Sequence, residues 1–122
     1  MLNYPMSNVH KVTIKSHEFV YLNTELMFES PYKNIKSMKN ELNISIQNSI
    51  ILNFGESMKM MEFTLLSLNM LTSNEQFKCI FRVQSRFANE FIAGLTLLTS
   101  ISRLPCAFSV KQVSESILAL QQ

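Results

Sequence analysis

The 122-residue sequence predicts an α+β fold: an antiparallel β-sheet or sandwich of about six strands, with one long helix and a short C-terminal helix. Three observations carry this reading. Apolar and polar residues alternate in several short runs, most cleanly where Phe77, Cys79, Phe81 and Val83 oppose Lys78, Arg82 and Gln84. One run breaks that rhythm, with Phe87, Phe91, Leu95 and Leu98 at spacings of four, four and three. The composition, 47% hydrophobic and 16% charged, suits a single folded domain over 1–122 with one ordinary core.

Taken in order, Val9–Lys15 reads as a first strand, with Val12 and Ile14 opposed to Lys11, Thr13 and Lys15. Glu18–Phe28 is a longer strand that is apolar on both sides: Val20, Leu22, Leu26 and Phe28 on one, Phe19, Tyr21 and Met27 on the other. Glu29–Glu41, with Pro31 and several serines, asparagines and lysines, reads as an exposed loop. Alternation resumes through Leu42, Ile44 and Ile46, then Ile50, Leu52 and Phe54, with a bulge or turn at Asn48 and Ser49. Gly55 breaks it, and residues 54–59 form a hairpin connection.

Met60–Leu71 reads as extended, with Phe63, Leu65 and Leu71 on one face and Leu66, Leu68 and Met70 on the other; its leucines and methionines leave a helix as the alternative. After a turn at Thr72–Gln76 comes the strand ending at Gln84. Ser85 then suits a helix N-cap, and Pro105 ends a helix of about 18 residues by Leu104. Gly94, in mid-helix, predicts a second backbone packed closely against it. Cys106, Phe108 and Val110 form a last strand, and Ser114 opens a terminal helix containing Ile117, Leu118 and Leu120.

Little in the sequence points to catalysis. There is no aspartate, which removes the commonest magnesium or calcium ligand and one of the two usual partners in carboxylate pairs. With only Gly55 and Gly94 present, no phosphate-binding glycine loop can form. Cys79 and Cys106 are too few and too far apart for a disulfide framework or zinc site and read as reduced, packed thiols. His10 and His17, with Glu18 beside the second, read as a surface pair rather than metal ligands. The expectation is a protein that is not an enzyme and needs no cofactor.

A net charge of +2, with basic residues interleaved among nine glutamates, predicts neither a nucleic-acid nor a membrane partner. Met1–Lys11 lacks a secretory pattern, and Phe91–Ile101, the longest apolar-leaning stretch, is about half of the roughly 20 residues a membrane helix needs. An intracellular protein is expected. Lys33, Lys36 and Lys39 are three apart near Tyr32 and offer a small basic contact, or a solvated loop.

The two-sided strands supply the main functional inference. Two helices cover one sheet face, so Phe19, Tyr21, Met27, Leu66, Leu68, Met70 and Ile80 are expected on the other, where a protein partner would cover them. Burying five such side chains would supply a gross driving force on the order of 10 kcal/mol before association entropy. The alternative is a sandwich that buries both faces internally.

Three stretches carry a resemblance to a known family: SIILNFG (49–55) followed by MEFTLLSL (61–68); KCIFRVQS leading into FANEFIAGLTLLTSIS; and that helix passing through RLP into CAFSV. In this order of elements the chain resembles the small subunits of the heterodimeric proteasome assembly chaperone, the fourth of that chaperone group more than the third. The resemblance implies a non-enzymatic chaperone in the cytoplasm or nucleus. It would form a heterodimer with a sister chaperone subunit, or a homodimer, and would bind a proteasome α subunit during ring assembly. A trafficking or kinetochore adaptor with a similar core is the alternative, and a small enzyme with its site between subunits a third.

Overall fold

The computed structural model describes residues 18–117. The expected first strand, both histidines, and Leu118 and Leu120 of the expected terminal helix lie outside that range.

Alternation broken only at Ile80 makes β3 (Gln76–Gln84), where Phe77, Cys79, Phe81 and Val83 are buried and the residues between them half-buried. The β-branched and aromatic run Phe19–Phe28 makes β1, with Leu22, Thr24, Leu26 and Phe28 inward. β1 pairs antiparallel with β3, Phe19 opposite Gln84 through Met27 opposite Gln76. Its other edge pairs antiparallel with β5 (Leu104–Ser114). With β2 (Phe63–Met70) and the two-residue β4 (Ser100–Ile101), the sheet order is β2-β3-β1-β5-β4. Among the described residues the helices lie on one side of the sheet, and no second sheet packs on the other.

The largest departure from expectation is α1 (Met38–Phe54), which takes the place of the strands read over Leu42–Phe54. Leu42, Ile46 and Ile50 satisfy a period of two, but they also recur every four residues. With Met38 they form a stripe that is wholly buried against the sheet. Gly55 ends the helix at φ +101°, its N–H bonding the Ile51 carbonyl at 2.8 Å, and a 3₁₀ turn over Glu56–Met60 replaces the expected hairpin connection.

The second helix, α2 (Ala88–Leu97), is shorter than expected. Ser85 does not cap it; Ser85 opens a 3₁₀ turn over Ser85–Phe87. At the other end the chain leaves helical geometry at Leu98 (ψ 117°) to make the β4–β5 hairpin, and Pro105 sits inside β5 opposite Ser100. Ser102 and Arg103 form the hairpin's two-residue loop with φ of +51° and +68°. Positive φ at both central residues is the geometry of a type I′ turn, which favours Asn-Gly; a residue with a Cβ costs roughly 1–2 kcal/mol there. Ser114 is the last residue of β5, and its Oγ accepts from the Ser116 N–H at 3.1 Å.

The core lies between the sheet and the two helices. Phe81 sits at its centre, with ring centroids of Phe91, Phe108 and Phe63 at 5.3, 6.2 and 6.4 Å. Thr24, buried among these side chains, donates from Oγ1 to the Cys79 carbonyl at 2.9 Å. The helices meet at Gly94, whose carbonyl accepts from Ser49 Oγ at 3.0 Å, so the close approach expected there is made by α1.

Candidate functional site

Alternation along β1 sends Phe19, Tyr21, Asn23, Glu25 and Met27 to the face without helices. Pairing places Gln84, Arg82, Ile80, Lys78 and Gln76 beside them from β3, and Ala107, Ser109, Gln112 and Ser114 from β5. This face is not the continuous apolar surface expected from the sequence. It mixes Phe19, Tyr21, Met27 and Ile80 with two cations, a carboxylate and several amides.

A bulge in β2 changes the expected side of two more residues. The register shifts between Leu65 and Ser67, so Leu68 stands opposite Cys79 and Met70 opposite Phe77, both of which point toward the helices. Leu68 packs against the core and Met70 is exposed at the strand end. Leu66, beside the shift, and Met27 are exposed, whereas Phe19, Tyr21 and Ile80 are half-buried. One extra residue thus moves part of the apolar surplus to the helix side.

The open face contains a defined aromatic and cationic pair. The Arg82 guanidinium lies 4.7 Å from the centroid of the Phe19 ring, a cation–π contact, and Tyr21 is the direct cross-strand neighbour of Arg82. A recess lined by Phe19, Arg82, Thr64 and Phe63, among others, opens beside the pair. Three polar atoms on this face, Asn23 Oδ1, Ser67 Oγ and Arg82 Nε, are buried without a hydrogen-bond partner among the described residues. Lys33, Lys36 and Lys39 are exposed, but they lie in the 29–34 loop, in a 3₁₀ turn over Ile35–Ser37 and in the first turn of α1, away from this face. Sequence reasoning missed Lys78 and Arg82 as site residues, although their alternation with Phe77 and Phe81 already put them on the side opposite the core.

Both thiols are free. Burial pushes the Cys79 thiol up to about 12, opposed in part by a hydrogen bond with Thr24, and pushes Cys106 up to about 11. Each is protonated at neutral pH and a poor nucleophile. Because these values exceed the ordinary value of 9.0, the unfolded chain loses its thiol protons first. Their stabilisation is complete below about pH 9 and is lost as pH rises through about 11 and 12. Stability measured by urea unfolding is therefore expected to fall across that window and to fall less in Cys79→Ala relative to its own neutral value. Among the described residues no group of three or more His, Cys or Glu side chains is placed to hold a metal ion, and no helix is long and apolar enough to cross a membrane.

Among the described residues, two helices lie on one side of an antiparallel sheet and aromatic and cationic side chains on the other, an α+β fold with one sheet face free of helices. The chain belongs to the Rpp14/Pop5 family, a ribonuclease P family whose model matches residues 20–122. In fold it is similar to a chain in a cryo-EM structure of yeast ribonuclease MRP, with a TM-score of 0.55 at 16% identity over 82% of this chain and 76% of that one. No curated protein sequence matches it.

Family membership overturns the resemblance to proteasome assembly chaperones, and with it the sister chaperone subunit, the proteasome α subunit and the adaptor alternative. The stretches that carried the resemblance are apolar rhythms common to many sheet-and-helix folds, and residues 49–55, read there as a strand, are the end of α1 and its capping glycine. The exclusion of nucleic acid falls as well. It rested on net charge, which averages over the whole surface and misses the local placing of Arg82 beside Phe19 and Tyr21.

Proposed function

We propose that this chain is a non-catalytic protein subunit of a ribonucleoprotein of the ribonuclease P and MRP type, working in the nucleus, and that the open face of its sheet contacts RNA. The observation that carries the reading is the juxtaposition of Phe19, Arg82 and Tyr21 on adjacent strands. Unstacked RNA bases are held by aromatic rings and guanidinium planes on a sheet, while nearby cations meet the phosphates. The amides and hydroxyls between the rings supply hydrogen-bonding groups for base edges. The protonated thiols give no support to chemistry by the chain itself.

The helix side suits protein neighbours in such a particle. α1 carries large apolar residues beyond its buried stripe: Ile44 and Leu52, with Leu97 of α2, remain exposed. A helix whose apolar residues extend past the face it turns to its own core is ordinarily covered by a further neighbour.

Fluorescence anisotropy with a labelled single-stranded RNA tests the RNA contact. Tyr21→Ala with Arg82→Ala is expected to weaken binding by roughly 10- to 100-fold, since one stacked base is worth about 1–3 kcal/mol. The double variant should also flatten the salt dependence by about 0.7 in log–log slope, because one fewer phosphate is neutralised. Lys59→Ala, at an exposed residue ion-paired with Glu56 at 2.8 Å, serves as the control. Equal affinity in the double variant and the control, with both folded, would overturn the reading.

A further inference from the structure

Lys33, Lys36 and Lys39 play no part in the open sheet face, and the fold brings a fourth cation to them. Lys33 and Arg103, far apart in the chain, line one recess where the β4–β5 turn faces the 30–34 segment. Lys36 lies in the 3₁₀ turn that follows and Lys39 in the first turn of α1, and all four side chains are exposed. Glu29, Glu41 and Glu75 share this end of the molecule, yet among the described residues none of the four cations forms an ion pair with a carboxylate.

The backbone beneath two of these cations is moored. The Tyr32 N–H bonds the Asn74 carbonyl at 2.9 Å and Asn74 Nδ2 donates to the Tyr32 carbonyl at 3.3 Å, which fixes the residue before Lys33 to the β2–β3 turn. The Glu29 N–H ties the start of the same segment to the Pro105 carbonyl at 3.0 Å, and the Cys106 N–H bonds the Thr99 carbonyl at 2.9 Å beside the hairpin. Lys33 and Arg103 thus rise from backbone positions already held together, which leaves little backbone ordering for a ligand to impose.

Two local preferences are broken at this end. Arg103 holds φ +68°, beside Ser102 at +51°, where the backbone favours glycine. Lys36 and Lys39 stand at the positive end of α1, where cations are unfavourable, and the first turn sets one carboxylate, Glu41, against them. Strain and like-sign charge kept at exposed positions direct attention to the side chains themselves, and a bound anion relieves the charge directly. We propose that Lys33, Lys36, Lys39 and Arg103 form a second RNA contact, which holds the phosphate backbone of a further segment of the bound RNA. Cations on separate exposed stems meet phosphates without reading bases, so this contact adds affinity and orientation while base recognition stays on the sheet face. The proposal rests on the RNA-binding reading of that face.

The test measures anisotropy of the full chain with a labelled single-stranded RNA several times longer than the domain, and with DNA of the same sequence, alongside thermal unfolding. Lys33→Ala with Arg103→Gly is expected to weaken binding about tenfold and to flatten the log–log salt slope by about 1.4, since two phosphates are no longer neutralised. RNA and DNA should lose affinity by the same factor, because they share the phosphate. Arg103→Gly alone should raise the Tm by relieving the turn, which separates lost binding from lost folding. Arg103→Lys keeps the charge and should bind within about threefold of the unmodified chain; a loss as large as that of Arg103→Gly would overturn the contact. If Lys33→Ala with Arg103→Gly binds RNA as the unmodified chain does while Tyr21→Ala with Arg82→Ala does not, the second contact is overturned and the sheet-face reading stands. Weaker binding of polyglutamate by the former variant would then assign these cations to an acidic protein surface. Loss in the lysine and arginine variants of this end alone supports the contact and overturns the sheet face, and no loss in either set overturns both.

Discussion

Phe81→Ala is expected to cost about 4 kcal/mol of folding stability, a large share of the roughly 5–15 kcal/mol available to a domain of this size. Phe81 is fully buried and touches aromatic rings from three other elements: Phe63 at the start of β2, Phe91 of α2 and Phe108 of β5. No neighbour can collapse into the space without giving up its own packing, so the cavity persists and adds to the transfer energy forgone. Urea unfolding should show a lower midpoint with an unchanged slope, and the Tm should drop by roughly 15 °C. Phe19→Ala is the matched comparison. The same ring is removed from the open face, where Phe19 is half-buried, and the loss should be about 1 kcal/mol. Similar losses at the two sites would mean that Phe81 does not occupy the centre of the core.

The contrast between these two phenylalanines is legible in the sequence. β3 alternates around Phe81 apart from Ile80, and β1 alternates with both of its sides apolar, so a central strand with two distinct faces follows directly. The segment 38–54 is not legible in the same way. Leu42, Ile44, Ile46, Ile50, Leu52 and Phe54 all fall on even positions, which satisfies a strand, while the subset Leu42, Ile46 and Ile50 satisfies a helix equally well. Only the sheet decides between them. A sheet with one face already lined by Leu22, Leu26, Phe77 and Phe81 needs a cover, and a four-residue repeat packs onto it as a single stripe. The residues left over, Ile44 and Leu52, become the exposed apolar side of α1.

The functional face is half visible for a related reason. Side-chain parity places Phe19, Tyr21, Met27 and Ile80 on it, but parity fails after a bulge, and nothing in FTLLSLNM marks where the register of β2 shifts. Net charge is a sum over the chain, whereas a binding surface depends on which charges share a face. The β4–β5 turn lies inside a stretch whose pattern reads as continuous helix, so sequence pattern alone does not place Ser102 and Arg103 at the head of a hairpin.

Gly94→Ala should destabilise the protein by about 2–3 kcal/mol, even though alanine is the better helix former by about 1 kcal/mol. A Cβ at Gly94 would run into Cγ1 of Ile50, an atom near the base of that side chain rather than at its flexible end, while the Ile50 Cα at 3.6 Å stays in ordinary contact. Ile50 is fully buried and cannot swing into solvent. The helices must then separate, which also stretches the 3.0 Å bond from Ser49 Oγ to the Gly94 carbonyl. A double-mutant cycle isolates this cause. Ile50→Ala removes the atoms in the way at its own cost in buried area, and on that background Gly94→Ala should be neutral or slightly stabilising, a coupling of about 2 kcal/mol between the two positions. If the two losses simply add, close approach of α1 is not the reason a glycine stands in the middle of α2. Since α1 also carries the exposed Ile44 and Leu52, any separation of the helices would shift the helix-side surface as well.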